Sequence, residues 1–151
     1  MIEKATLSFA DLEDDDLLPC AELFVESFKQ PPWNETWDVE DAFDRLSDFL
    51  HCPKCVAFKV GYQNDIVGFL LGNEEVWCED NYFYLKEVCV AHSFQRQGVG
   101  RALLQHLEDT LREKNISRLY LMTQSNSIPE RFYTSLGYAV NHDFVVMRKI
   151  I

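Results

Sequence analysis

One stretch of the chain combines residue types and spacing that could bind an anion. Residues 82–91 have the β-branched and aromatic content of a strand, and after a polar link residues 98–114 repeat apolar side chains at helical spacing. Gly98 and Gly100 stand at the start of this predicted helix, where each glycine costs about 1 kcal/mol relative to alanine. Two glycines there indicate a backbone that another group approaches closely. Because unpaired N–H groups and the positive end of the helix dipole lie at a helix start, the pattern predicts a phosphate site.

This glycine pattern differs from the two common nucleotide-binding motifs. No Gly-Lys-Ser/Thr follows, so it is not a P-loop, and Leu103 stands where the dinucleotide fingerprint has its third glycine. Alone, Gln95-x-x-Gly98-x-Gly100 is short enough to occur by chance. A second pattern lies downstream, where Asn126 precedes Tyr133-Thr-Ser-Leu-Gly-Tyr138 by seven residues.

The elements around these motifs predict an α+β (α/β) fold in one domain over residues 1–151. Their order is β-α-α-β-β-β-α-β-α-β, which indicates a mostly antiparallel central sheet flanked by about four helices. The predicted strands are 3–9, 56–62, 66–77, 82–91, 118–124 and 144–147, and the predicted helices are 16–28, 39–50, 98–114 and 128–136. A chain of 151 residues has room for one core of this kind.

Charge and hydropathy exclude several classes of function. The net charge of −11 argues against nucleic-acid binding, which needs a basic surface. The first 50 residues hold 14 acidic residues against Lys4, Lys29 and Arg45, so the whole acidic excess lies there. This segment is either a solvated face or one that meets a cationic partner. No apolar run approaches the ~20 residues of a membrane span, and no secretory signal is visible, so we expect a cytoplasmic protein.

The five cysteines are expected to be reduced thiols. Their odd number and scattered positions do not fit a disulfide framework. The run His51-Cys52-Pro53-Lys54-Cys55 resembles half of a zinc site, but no second Cys/His pair with suitable spacing follows it. The sequence therefore predicts no metal, and these side chains could equally fill a loop and the core.

Together, the two motifs resemble the GNAT superfamily of N-acetyltransferases. The phosphate loop of that superfamily, Gln/Arg-x-x-Gly-x-Gly/Ala after the fourth strand, is matched by Gln95–Gly100, and its second signature is matched by Asn126 and Tyr133–Tyr138. The resemblance spans most of the chain and is strongest over residues 82–139. A looser similarity to aminoglycoside 6′-N-acetyltransferases lies around residues 32–37. The resemblance implies a GNAT-like acyl-CoA N-acyltransferase fold, acetyl-CoA as donor and an amine as acceptor.

The resemblance also implies a set of co-substrate contacts. The backbone amides of Gln97–Arg101 would hold the pyrophosphate, with two arginines adding positive charge. The strand Val88–Val90 would pair with the pantetheine arm, and the N–H of Val90 would polarise the thioester carbonyl. The implied binding residues are Val88, Cys89, Val90, Gln95, Arg96, Gln97, Gly98, Val99, Gly100, Arg101 and Asn126.

Amine acetylation needs an unprotonated amine, and therefore a base. The resemblance favours Glu87 for this role, with His92 as the alternative; Glu87 could otherwise be a solvent-facing strand residue. Tyr133 matches the general acid of the superfamily, which protonates the departing thiolate, although an aromatic residue there could also belong to the core. Cys89 could carry the acetyl group covalently, but a buried cysteine on a strand is more often a small apolar side chain.

The acceptor is expected to lie near Trp33 and Glu35. Trp33 and Trp37 could offer stacking surfaces to a cation, or they could hold the first two helices together. We expect a negative rim from Glu35, Asp38, Glu74, Glu75 and Glu79. Such a rim would suit a polyamine, an aminoglycoside, a lysine side chain or an N-terminal amine.

Two other classes of function remain open from the sequence. A non-catalytic acyl-CoA sensor on the same fold would bind the co-substrate without turnover, and an acidic interaction domain would use the Gly98–Gly100 turn only structurally. The C-terminal strand and Phe144 could form the contact of a homodimer.

Overall fold

The computed structural model describes residues 2–151. Its strands are β1 (Ser8–Asp11), β2 (Cys55–Tyr62), β3 (Asp65–Val76), β4 (Asn81–Val90) and β5 (Arg118–Leu121), and its helices are α1 (Leu17–Phe28), α2 (Val39–Leu50), α3 (Val99–Glu113) and α4 (Ile128–Ser135). The strands form one sheet in the order β1-β2-β3-β4-β5. Strands β1 to β4 are antiparallel neighbours and β5 runs parallel to β4. The predicted fold class and the mostly antiparallel sheet are therefore confirmed.

Helices cover both faces of the sheet. On one face α3 buries Leu103 and Leu107 against a cluster that includes Phe83 of β4. On the other face α1 and α2 bury Phe24 and Leu46 against a second cluster. No helix in the described part of the chain is both long and apolar enough to cross a membrane.

Capping residues mark the start of two helices that flank the site. The Asp38 side chain accepts a hydrogen bond from the N–H of Glu40 at 2.8 Å and caps α2. Ser127 caps α4 in the same way, accepting from the N–H of Glu130 at 3.2 Å. Pro129 falls in the first turn of α4, where its missing N–H has no helical partner to lose.

A bulge changes which side chains of β4 face the two helical layers. Leu71 pairs with Glu87 but its neighbour Gly72 pairs with Leu85, so Lys86 is an extra residue in β4. Leu85 therefore packs in the α3 cluster, while Glu87 turns toward α2. A Cβ at Gly72 would lie 2.1 Å from a β4 carbonyl oxygen, so the bulge requires glycine.

Beyond the bulge, β4 and β5 separate. They pair only from Tyr82 to Leu85 on β4, whereas β4 continues to Val90. The β5-facing edge of β4 therefore lies open over residues 86–90. This open edge forms one side of the cleft described below.

Three predicted strands differ from the structure by more than one residue, and one of them is wrong. The strand predicted over 118–124 ends at Leu121. The first strand covers residues 8–11 rather than 3–9, because a short 3₁₀ turn occupies residues 4–6. The predicted closing strand Phe144–Met147 does not form, and its residues are exposed. Its apolar, β-branched composition is not sufficient, since a strand also needs a neighbour with which to exchange backbone hydrogen bonds. The homodimer predicted on this segment stays a prediction.

Candidate active site

A cleft of about 1040 Å³ opens between the α1–α2 layer, the free edge of β4 and the first turns of α3 and α4. Twelve of the predicted site residues line it: Trp33, Glu35, Glu87, Val88, Cys89, Val90, Gln95, Arg96, Gly98, Gly100, Arg101 and Tyr133. The structure thus brings the two sequence motifs and the residue 32–37 segment to one cavity. Its size is at the upper end for small-molecule sites, and extended ligands fit such clefts.

The turn before α3 has the conformation of an anion site. Gly98 precedes the helix with φ at +85°, a left-handed conformation that favours glycine. The N–H of Ala102 is bonded to the Gly98 carbonyl, so the amides of residues 99–101 precede the helical ladder. Arg96 and Arg101 line the same part of the cleft. A phosphate group placed here would meet free N–H donors, the helix dipole and two cations.

The backbone of Val90 presents a donor to the cleft. The N–H of Ala91 bonds to the Val67 carbonyl of β3 at 2.8 Å. Since successive residues of a strand direct their N–H groups to opposite edges, the N–H of Val90 points away from β3, toward the open edge. The Val90 carbonyl accepts from the Gln95 side chain at 3.0 Å, which links the end of β4 to the turn.

Glu87 is a buried carboxyl group with one charged partner. It is 8% exposed, and its Oε1 accepts a hydrogen bond from Arg45 Nε of α2 at 2.7 Å. Burial raises the pKa of the Glu87 carboxyl, while the hydrogen bond and charge of Arg45 act in the opposite direction. A carboxylate of this kind can accept a proton near neutral pH more readily than an exposed one.

Tyr133 supplies a protonated hydroxyl to the same cleft. Burial, and to a lesser extent the charge of Glu87, raises the pKa of Tyr133 to about 12. The hydroxyl therefore keeps its proton through neutral pH and can donate it. Its ring lies 5.6 Å from that of Tyr138 and 5.3 Å from that of Phe132, so packing fixes its position.

Comparison with known proteins decides the family. The sequence profile of the Acetyltransferase (GNAT) family matches residues 19–138. The chain belongs to the GNAT acetyltransferase family. A curated relative, the ribosomal protein bS18-alanine N-acetyltransferase of Escherichia coli (strain K12), is 42% identical over 134 residues, which cover 87% of this chain and 80% of the relative. The protein is therefore an acetyltransferase, and the non-catalytic sensor is not favoured.

Solved structures share the fold of this acetyltransferase. A possible acetyltransferase from Clostridium difficile 630 has a TM-score of 0.81 at 16% identity, covering 97% of this chain and 99% of that chain. An aminoglycoside acetyltransferase from an uncultured soil metagenomic sample has a TM-score of 0.74 at 21% identity, covering 98% of each chain. At such identities the likeness concerns the fold alone.

The segment before α2 lines the cleft, and its tryptophans pack against α1, while their stacking on an acceptor stays a prediction. Trp33 and Trp37 line the cleft of the acetyltransferase. Trp33 also packs on Phe28 at 5.4 Å between ring centroids, and Trp37 packs edge-on against Phe24 at 5.1 Å. The tryptophans thus hold this segment against α1 while their rings bound the cavity.

The predicted negative rim is wrong except at Glu35. Glu35 lines the cleft and accepts a hydrogen bond from the indole N–H of Trp37. Asp38 instead caps α2, Glu74 accepts from Asn81 at 2.6 Å, and Glu75 accepts from the hydroxyl of Tyr120. These side chains and Glu79 are absent from the cleft lining. A cationic acceptor inside the cleft would therefore not contact these carboxylates.

Arg45 is a cleft residue that sequence reasoning missed. Its guanidinium carbon lies 4.7 Å from the ring centroid of Phe49 and 5.7 Å from that of Trp37, while its Nε holds Glu87. One signal pointed to it, since it is one of only three bases among the first 50 residues. Because α2 packs its apolar side chains in the core, a basic residue on this helix must either lie in solvent or pair with a buried acid.

Three predicted binding residues lie outside the cleft lining. Val99 is buried in the α3 core, and the Gln97 side chain turns back to the Ser93 carbonyl at 2.8 Å, so only their backbones adjoin the turn. Asn126 adopts φ of +56°, and its N–H donates to the Glu130 carboxylate. The structure therefore orders the backbone of Asn126 but does not bring its side chain to the cavity.

Cys89 and His92 were the alternative catalytic groups. Burial raises the pKa of the Cys89 thiol, and its sulfur lies 3.8 Å from the Leu23 carbonyl in the core below α1. A protonated, buried thiol is a poor nucleophile. His92 lines the cleft just beyond β4, so a role in proton transfer stays a prediction.

Proposed function

We propose that this acetyltransferase transfers the acetyl group of acetyl-CoA to the α-amino group at the N-terminus of a polypeptide. The observation that carries the proposal is the ion pair between the buried Glu87 and the exposed Arg45. It lies at what we call the acceptor end of the cleft, the part lined by Trp33, Glu35 and Trp37. The curated relative is named as an alanine N-acetyltransferase of a ribosomal protein, which supports the same acceptor class. The reduced cysteines support a cytoplasmic location.

The residues of the α3 turn fit acetyl-CoA, which supplies an acetyl group activated as a thioester. The amides of residues 99–101, together with Arg96 and Arg101, would hold the pyrophosphate. The open edge of β4 over residues 86–90 would receive the pantetheine arm, since its outward N–H and C=O groups have no strand partner there. The N–H of Val90 would donate to the thioester oxygen as negative charge develops.

The Glu87–Arg45 pair favours an acceptor that loses its proton easily. A protein α-amino group has a pKa of about 8 and a lysine side chain about 10.4, so at neutral pH the α-amine is unprotonated a few hundred times more often. Arg45 stabilises the ionised form of Glu87 and thereby limits the rise in its pKa that burial causes. A carboxylate whose pKa rises only in part suits the α-amine, which loses its proton more easily than the lysine amine.

The charges of the acceptor end give no net attraction for a polycation. Glu35 and Glu87 are balanced there by Arg45 and Lys86, all of which line the cleft. An aminoglycoside or polyamine would bring several positive charges to a wall without negative excess. The stacking surfaces of Trp33 and Trp37 and the fold neighbour that is an aminoglycoside acetyltransferase make an aminoglycoside the second candidate.

The two proton transfers would use two residues that line the same cleft. Glu87, directly or through a water molecule, accepts the proton of the amine. Tyr133 donates its hydroxyl proton to the departing thiolate. The acetyl group passes directly to the amine, with no covalent enzyme intermediate.

Acceptor choice is tested by measuring thiol release and product mass with matched substrates. We expect turnover with a peptide that has a free N-terminal alanine and contains one lysine, with the acetyl group on the α-amine. The same peptide with a blocked N-terminus should react at least a hundredfold more slowly. Acetylation of the lysine at equal rate, or faster turnover of an aminoglycoside or polyamine, would contradict the proposed acceptor.

Changing Arg45 to methionine should shift the pH dependence of catalysis. Loss of the guanidinium removes the interaction that lowers the pKa of Glu87, so this pKa rises further above the ordinary carboxyl range. The midpoint of the acidic limb of kcat/KM should therefore move to higher pH. Arg45→Lys keeps a positive charge and should move it less. An unchanged midpoint would show that Arg45 does not influence the pKa at which Glu87 acts as a base.

Changing Gly98 to valine should weaken acetyl-CoA binding. A β-branched residue is disfavoured at φ of +85°, so the turn must rearrange and its amides lose their common direction. In the wild type, acetyl-CoA at ~100 times its Kd should stabilise the fold by about 2.7 kcal/mol, a rise in Tm of a few degrees. The variant should lose most of that rise.

Gly137 offers a matched control for the Gly98 change. It has φ of +93°, and nothing lies within 4 Å of a Cβ built there, so Gly137→Val imposes similar backbone strain away from the α3 turn. Both variants should lower Tm in the absence of ligand. Only Gly98→Val should abolish the ligand-induced rise; an intact rise would contradict the phosphate-site assignment.

A further inference from the structure

The turn between α2 and β2 places two cysteines within bonding reach of each other. Cys52 and Cys55 are the first and last residues of a β-turn closed by a hydrogen bond from the Cys55 N–H to the Cys52 carbonyl, at 3.2 Å. Pro53 takes the second position and Lys54 the third with φ of +59°, as in a type II turn. The terminal Cα atoms of such a turn lie within about 7 Å, which overlaps the range that a disulfide spans.

A cation from the cleft wall contacts the first of these thiols. The ammonium of Lys86, the extra residue of the β4 bulge, lies 3.7 Å from Cys52 Sγ. Its other neighbour is the ring of Phe49, 4.6 Å away at the centroid. An ammonium in contact with a sulfur atom stabilises the negative charge that the sulfur carries when it attacks a disulfide. Cys52 is therefore the better attacking thiol of the pair.

The second cysteine suits the complementary role. Cys55 is half-buried, and burial and the neighbouring Cys52 raise the pKa of its thiol, while the charge of Lys86 acts in the opposite direction. Cys55 is therefore expected to react only after a mixed disulfide has formed on Cys52. The other cysteines differ, because Cys20 and Cys89 are buried in the core and Cys78 is an exposed residue of the loop between β3 and β4.

We propose that Cys52 and Cys55 form a reversible disulfide with low-molecular-weight disulfides of the glutathione class as oxidant. The Cys52 thiolate attacks one sulfur of the oxidant, forming a mixed disulfide and releasing one thiol. The Cys55 sulfur then attacks Cys52 Sγ and releases the second thiol. The protein loses two electrons and two protons, and the oxidant becomes two thiols. Because the closed loop is short, the bond adds little stability and stays reducible.

The position of this pair links it to the cleft. Lys86 immediately precedes Glu87, and Phe49 contacts both Lys86 and Arg45. Oxidation changes the sulfur that Lys86 contacts, and Lys86 is the residue next to Glu87 in β4. The proposed redox chemistry itself requires no acetyltransferase activity, so its test is independent of the proposed function.

The test incubates the reduced full-length protein in a series of glutathione redox buffers, traps free thiols under acid conditions and maps the peptides by mass spectrometry. We expect a disulfide between Cys52 and Cys55, with the mass loss of two hydrogen atoms, that dithiothreitol reverses. Cys20 and Cys89 should remain thiols and Cys78 should form only a mixed disulfide. Mixed disulfides at Cys52 and Cys55 without an internal bond would overturn the proposal.

Three variants separate the roles. Cys55→Ser should accumulate glutathione on Cys52, because the resolving thiol is gone. Cys52→Ser should leave Cys55 reacting more slowly than Cys52 does in Cys55→Ser. Lys86→Met keeps a long apolar stem but removes the charge, and should slow the reaction of Cys52 by about threefold to tenfold. A Cys52 that reacts no faster than Cys78 in the wild type would also overturn the proposal.

Discussion

Replacing Tyr133 by phenylalanine should lower kcat by about 10²–10⁴-fold while leaving the Kd for acetyl-CoA within about twofold. The hydroxyl is the only part of the side chain that the change removes, and the ring keeps its packing against Phe132 and Tyr138. Without this proton donor, the CoA thiolate must leave unprotonated or take its proton from water. Steady-state kinetics with a peptide acceptor, together with the Tm rise on adding acetyl-CoA, measure the two quantities separately.

Tyr138→Phe is the matched control for the Tyr133 change. Tyr138 is also a half-buried tyrosine on the same segment, but its hydroxyl bonds to Glu108 of α3 at 3.1 Å and it does not line the cleft. Its loss should cost about 1 kcal/mol of stability and little turnover. If Tyr133→Phe retained wild-type kcat, or if both variants lost turnover equally, Tyr133 would not be the acid.

The parts of the site that the sequence could predict are local in the chain. The left-handed Gly98, the free amides after it and the two arginines lie within six residues, so their pattern is visible without knowing the fold. Tyr133 could be predicted because its sequence signature, from Asn126 to Tyr138, spans the short helix α4 and the residues on both sides of it. In such segments a side chain's role follows from its neighbours in sequence.

The parts that could not be predicted depend on distant contacts. Arg45 and Glu87 are 42 residues apart, and their pairing needs the β4 bulge that turns Glu87 toward α2. The acidic rim failed for the same reason, since nothing local shows that Glu74 and Glu75 bind Asn81 and Tyr120. Composition likewise misled at the closing strand, where β-branched residues find no pairing partner.

Changing Glu87 to glutamine should lower kcat/KM by about 10²–10⁴-fold near pH 7. Glutamine keeps a carbonyl oxygen that can accept the hydrogen bond of Arg45 Nε, so the change removes the base with little disturbance of the wall. The acceptor must then bind already unprotonated. The deficit should shrink as the pH rises through about 8, the pKa of an α-amine, because a base is no longer needed above it.

This pH dependence distinguishes a base from a residue that only shapes the cleft. A purely structural loss would lower kcat/KM by the same factor at every pH, and would lower Tm as well. The control is Glu108→Gln on α3, which keeps its partner Tyr138 and lies outside the cleft, and should retain the wild-type profile. A constant deficit for Glu87→Gln would indicate that His92 or a water molecule, and not Glu87, is the base. A deficit that becomes smaller as the pH rises would instead show that the Glu87 carboxylate removes the proton from the amine.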